Sequence, residues 1–120
     1  MAGSLGELLS TDASNSLIIP GTTPTIRYTV KSDLIKKTKA IRLDITQDGV
    51  IINQINNITI DGDTAVHKFT QDETYAFNEG VIQTQLHGIT DEDVAWKSKI
   101  VELGIGKSLT NTPINKPYEG

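Results

Sequence analysis

Across residues 41–86 apolar and polar side chains alternate, and the alternation breaks at Gln47-Asp48-Gly49, Asp61-Gly62-Asp63 and Asn78-Glu79-Gly80. A period of two sends successive side chains to opposite faces of a strand, so the pattern predicts a small antiparallel β protein with one wet face per sheet. Residues 25–30 put Ile26, Tyr28 and Val30 on one side and Thr25, Arg27 and Thr29 on the other. Residues 40–46 repeat the pattern through Ile41, Leu43 and Ile45. Residues 16–19 read as a short edge strand stopped by Pro20-Gly21, and Pro24 holds Thr23 extended.

The hairpin after residue 46 admits two registers. A two-residue Asp48-Gly49 loop sets Ile45 opposite Ile52 and Thr46 opposite Ile51, but Ile41 opposite Asn56. A three-residue loop with Gly49 left-handed pairs Ile45 with Ile51 and Ile41 with Ile55, at the cost of Asn53 facing Leu43. The second gathers more apolar area on one face and is preferred, because a one-residue slip flips every side chain. Beyond it, Ala65, His67 and Phe69 share a face, and Thr70-Gln71-Asp72-Glu73 matches a capping box that predicts a helical turn near 71–77. In residues 81–89, Ile82, Thr84 and Leu86 point inward, and Val81, Gln83, Gln85 and His87 point outward. The last strand starts at Ala95, and its alternation slips between Ile100 and Leu103, the mark of a bulge. Seven to eight strands at regular spacing predict an all-β, immunoglobulin-like antiparallel β-sandwich over residues 16–109. Residues 1–15 form an N-terminal arm outside the core, with one helical turn at 6–10, and residues 110–120 form an extended, Pro-containing tail.

Composition narrows the function classes. The 120 residues suit a single domain with an aliphatic core, since aromatics are only 5% of the chain. A net charge of −4 argues against a nucleic-acid groove, which needs clustered cations. The one basic run, Lys36-Lys37-Thr38-Lys39, reads as a solvated inter-strand loop. The absence of cysteine removes disulfides, thiolate metal sites and cysteine nucleophiles. With neither a membrane span nor a secretory signal visible, the expectation is a chain made in the cytoplasm and independent of membranes.

Chemistry-bearing residues do not assemble into a reaction centre. His67 and His87 lie on opposite faces of their strands, so they cannot share a metal; His67 belongs at the core edge and His87 in solvent. Asp61/Asp63 and Asp91/Glu92/Asp93 begin like calcium loops but lack the continuation, and turn stabilisation accounts for both. Gly106-Lys107-Ser108 needs a glycine at position 101 to make a phosphate loop, and Val101 stands there. No Gly-x-Ser-x-Gly elbow occurs. Trp96, the single tryptophan, covers the core edge or offers a sugar platform, and the first reading is favoured. No enzyme activity, cofactor or metal is expected.

The opening Ile19-Pro20-Gly21-Thr22-Thr23-Pro24-Thr25-Ile26 has a distinctive order. After it come Gln47-Asp48-Gly49, Asp61-Gly62-Asp63, the Thr70-to-Phe77 string, alternating Gln83 and Gln85, and Ser98-Lys99-Ile100. Together, over about residues 18–109, these resemble a family of small structural proteins encoded in phages and prophages of low-GC Gram-positive bacteria. The layout is more loosely similar to the N-terminal domain of phage baseplate upper proteins. The resemblance implies a non-enzymatic virion component of the tail, baseplate or capsid surface, present in the host cytoplasm before assembly. Its partners would be other virion proteins or further copies of itself, with no nucleic acid and no membrane. Leu5, Leu8, Leu9, Ile114 and Tyr118 in the two ends are the expected docking residues, and deleting residues 1–15 should abolish assembly while leaving melting nearly intact. The alternative is a carbohydrate-binding or host-adhesion module, which requires Trp96 exposed beside Tyr28 or Tyr75.

Overall fold

The structure, a computed structural model, describes residues 8–13 and 17–114. Its strands are β1 (Leu8–Leu9), β2 (Thr11–Ala13), β3 (Leu17–Ile18), β4 (Thr25–Val30), β5 (Thr38–Gln47), β6 (Val50–Ile55), β7 (Thr59–Asp61), β8 (Thr64–Lys68), β9 (Gly80–Thr90), β10 (Ala95–Ser98) and β11 (Val101–Ile105). A 3-10 turn, Asp33–Lys37, precedes β5, and one short helix, α1 (Gln71–Tyr75), joins β8 to β9. The four-stranded sheet runs β2-β4-β8-β7. In the seven-stranded sheet β9 is the spine, with β5 along one side and β10 and β11 end to end along the other. Outside these lie β6 against β5, and β1 and β3 in parallel against β10 and β11. Counting β1 to β3 as one interrupted strand, and β10 with β11 as another, gives eight strands in two facing sheets, an immunoglobulin-like sandwich.

The core is aliphatic. Ile26, Tyr28, Val30 and Ala65 from one sheet face Leu43, Ile45, Ile82, Leu86 and Leu103 from the other. Tyr28 crosses between the layers, and its hydroxyl donates to Thr84 Oγ1 at 3.0 Å. Ile35, in the 3-10 turn, is fully buried, so a segment that reads as a solvated basic loop carries a core anchor. The capping box is formed: Glu73 N–H donates to Thr70 Oγ1 (3.1 Å), and Glu73 Oε1 accepts from Thr70 N–H (2.8 Å). The same Oε1 lies 3.0 Å from Nε2 of buried His67, which ties α1 to β8. Among the described residues no buried side-chain nitrogen or oxygen lacks a partner.

Two expectations need correcting. At the β5–β6 turn the pairs are Gln47↔Val50 and Thr46↔Ile51, the two-residue register, with Asp48 and Gly49 at φ 54° and 79° as a type I′ turn requires. The register then shifts by one between Ile45 and Thr46, giving Ile45↔Asn53 and Leu43↔Ile55. The turn chemistry of Asp-Gly and the burial of Ile55 demand registers one residue apart, and a bulge at Ile52 satisfies both. The N-terminal segment is also not an arm outside the core, nor helical over its described part. Leu8–Leu9 pairs with β10, Thr11–Ala13 pairs with β4, and the chain passes from one sheet to the other at Ser10. Ser10 C=O accepts from Lys31 N–H (2.9 Å) and Leu9 C=O from Lys99 N–H (2.8 Å), so both neighbours hold it. The expected slip near Ile100 is the break between β10 and β11, where Ser98 Oγ replaces a ladder partner for Leu86 N–H at 2.9 Å.

Candidate interaction surface

Alternation along β5 and β9 sends Arg42, Asp44 and Thr46, and Gln83, Gln85 and His87, to the outer face of the seven-stranded sheet. Register lines them up as Arg42↔His87, Asp44↔Gln85 and Thr46↔Gln83. Arg42 grips Asp44 through Nε (2.6 Å to Oδ1) and Nη2 (3.1 Å to Oδ2), and Gln54 Nε2 adds a third donor to Oδ1 at 3.2 Å. Arg42 Nη2 also lies 3.3 Å from His87 Nδ1. A guanidinium only donates, so Nδ1 accepts and the proton of the neutral ring sits on Nε2. Burial lowers the His87 pKa from its ordinary value, and the nearby Lys97 and Arg42 cations lower it further against the opposing pull of Asp44. The bond to Asp44 raises the Arg42 pKa. An imidazole between two cations resists taking up a proton and makes a poor general base.

The two ends of this face differ from its polar middle. At one end a shallow depression of about 310 Å³ is floored by Ala40, Ile89 and Ala95 and rimmed by Arg42, His87 and Asn56. At the other, the register Leu17↔Gly104↔Val81 lays an apolar row across three strands. Leu17 is 56% and Val81 45% exposed, with Gly104 between them offering no side chain. Ile19 lies over Gly106, where an added Cβ would sit 2.4 Å from Ile19 Cδ1. The glycines keep this end flat.

Of the docking residues expected from sequence, the structure describes Leu8, Leu9 and Ile114. Leu9 is half-buried and packs on the core, because β1 is a sandwich strand. Leu8 pairs with Lys97 in that strand. Ile114 is 76% exposed, while its backbone is held at both ends by Gln71, whose Nε2 donates to Ile114 C=O (2.7 Å) and whose Oε1 accepts from Ile114 N–H (2.9 Å). Leu5 and Tyr118 lie outside the described residues. His67 is buried as expected; His87 is half-buried rather than solvated, because Arg42 packs beside it. Trp96 is 4% exposed, its Nε1 donates to Thr38 Oγ1 (2.9 Å), and Tyr28 is buried. Tyr75 rests on Gly21 and donates to Thr112 C=O (3.1 Å). The aromatic platform required for sugar stacking is therefore not formed by these rings. Among the described residues no group of three or more potential ligands could hold a metal, and no helix is long and apolar enough to cross a membrane. Sequence reasoning missed the Arg42–Asp44–His87 cluster, whose only sequence signal is the outward parity of each residue within its own strand.

No protein-family model matches the chain, and no curated protein does. Among solved structures it is similar to the fibronectin(III)-like modules of Clostridium thermocellum CbhA, at 13% identity and a TM-score of 0.45, covering 80% of this chain and 94% of that one. The sandwich assignment rests on the strand order and pairing described above.

Proposed function

We propose that this chain is a non-catalytic sandwich module that serves as a structural component of a phage particle through protein–protein contacts. The observation that carries the reading is the flat apolar row of Leu17, Gly104 and Val81, extended by Ile19, beside the polar middle of the sheet face. Contiguous apolar surface rimmed by polar residues marks a contact site, and its lack of relief suits a protein surface better than a small molecule. The phage assignment rests on the motif series from Ile19 to Ile100. The test is to purify particles from an induced culture of the source strain and to probe them by mass spectrometry and immunogold labelling. The chain is expected in the particles at fixed stoichiometry, and a Leu17→Glu/Val81→Glu variant that melts normally is expected to be left out. Particles devoid of the chain would overturn the proposal.

A further inference from the structure

Strand β6 differs from the other described sheet edges. β2 and β7 carry Asp12 and Asp61, and β1 and β3 are two residues long, so each is blunted by charge or by brevity. β6 is six residues long, pairs only with β5, and lies in a stretch, residues 50–60, with no charge, proline or glycine. Val50 and Ile51 beside this edge are 61% and 63% exposed. An uncharged edge of this length is a template for another strand.

The bulge determines what that strand can be. Cross-strand partners share a face, so Ile51 and Gln54, opposite outward Thr46 and Asp44, both point outward. Val50 and Ile55, opposite buried Gln47 and Leu43, share the inner face, Ile55 buried in the core and Val50 61% exposed where that face runs out at the hairpin. In a regular strand residues 51 and 54 would lie on opposite faces; the extra residue at Ile52 makes the in-out pattern of β6 symmetric about the middle of residues 52 and 53. An antiparallel copy related by a two-fold axis at that midpoint then meets it with 51 opposite 54 and 50 opposite 55, every pair on a matching face. Slipping the copy by one residue either way sets an inward side chain against an outward one. In this register Gln54 lies opposite Ile51 and Asn53 opposite Ile52, so no like charges are opposed along the edge. Gln54 N–H now donates to Asn53 Oδ1 at 2.8 Å, a bond within β6 that the incoming strand exchanges. We infer that β6 is a self-pairing edge through which two copies of this chain join their seven-stranded sheets about a two-fold axis. The inference deepens the structural role proposed above by naming a partner.

Sedimentation velocity and disulfide trapping test it. The wild type is expected to dimerise reversibly at high micromolar concentration. Ile51→Lys/Gln54→Lys opposes two like-charged pairs and should weaken the dimer by at least about tenfold without lowering the melting temperature. Because the chain has no cysteine, an equimolar mixture of Ile51→Cys and Gln54→Cys chains should form covalent dimers on mild oxidation far faster than either alone, and Asp12→Cys should not. A wild type that stays monomeric overturns the inference, as does a dimer indifferent to the lysine pair or equal trapping by the single variants. A monomer that still enters particles removes the inference and leaves the structural role standing. A dimer absent from particles does the reverse.

Discussion

Gly88→Ala probes a close packing contact inside the sandwich. Gly88 of β9 pairs with Trp96 of β10, and the indole lies flat over the glycine. A Cβ built on Gly88 falls 2.5 Å from Trp96 Cε2 and Cζ2 and 2.7 Å from Nε1, whereas ordinary contact is 3.4–4 Å. The ring must retreat by about 1 Å, and neither β9 nor β10 can yield independently, because both lie inside the ladder. Retreat breaks the 2.9 Å bond from Nε1 to Thr38 Oγ1, which itself donates to Leu34 C=O at 2.8 Å and so anchors the 3-10 turn. Overpacking of this kind costs about 1–3 kcal/mol, and the lost bond adds about 1 kcal/mol. The sum of about 2–4 kcal/mol should lower the melting temperature by roughly 8–16 °C at ~4 °C per kcal/mol for a domain of this size. Trp96 is the single tryptophan, so its emission reads the displacement directly, with a red shift expected in the folded variant. An alanine variant that melts within about 2 °C of wild type with unchanged emission would refute the packing argument.

Four further outcomes follow from particular contacts. Thr74→Val deprives Gly21 N–H of its 2.9 Å acceptor and Thr22 C=O of its donor, and should cost about 1–3 kcal/mol, seen as a lower urea midpoint at constant m. Burial raises the Tyr28 pKa to about 12, against the smaller opposing effect of its bond to Thr84. The unfolded chain therefore releases that proton first, so stability holds below pH 10 and declines as pH rises from 10 towards 12. An alkaline absorbance titration in which all three tyrosines ionise near pH 10 with the fold intact would contradict this. For His87 the folded pKa lies below the ordinary 6.5, so its contribution to stability is present above pH 6.5 and is lost as pH falls through the folded value; NMR titration of the ring should place it there, and Lys97→Ala should raise it only in part because burial is the larger cause. Deleting residues 1–15 removes β1 and β2 with half-buried Leu9 and Ala13, and should cost roughly 2–4 kcal/mol, so truncation without loss of melting temperature would contradict their place in the sheets.

What was legible in the sequence was whatever period two and turn chemistry encode within one strand. Ile26, Tyr28 and Val30 are inward on β4; Ile82, Thr84 and Leu86 are inward on β9; and the capping box at Thr70 and Glu73 forms as its spacing predicts. What was illegible depended on relations between strands. Asp48-Gly49 and Ile55 each state a register, and only the folded sheet shows that both are honoured through Ile52. β1 and β2 are too short to alternate, and their order comes from β10 and β4, so residues 8–13 carry no local signal. The Arg42–Asp44–His87 cluster needs the β5–β9 register before its members can be seen as neighbours. Trp96 was correctly placed at the core edge, yet its reason for being there, the bare backbone of Gly88, lies eight residues away on another strand.

The distribution of charge bears on how copies approach one another. Asp48, Asp61, Asp63, Glu79, Asp91, Glu92 and Asp93 all stand at or beside turns, at the ends of the sandwich, and Asp93 pairs with Lys39 at 2.7 Å. The end that carries Asp91, Glu92 and Asp93 also carries Lys36, Lys37 and Lys39 and is mixed. With a net charge of −4, encounters between copies through the end that carries Asp48 and Glu79 bring like charges together. Encounters along β6 do not, since residues 50–60 are uncharged and Asp44 behind them is neutralised by Arg42. Repulsion at one end combined with neutrality along one edge favours side-by-side association over stacking through that end. Raising ionic strength should therefore weaken the preference for that geometry while leaving the strand pairing itself little changed, because backbone hydrogen bonds and apolar contacts are not screened as exposed charges are.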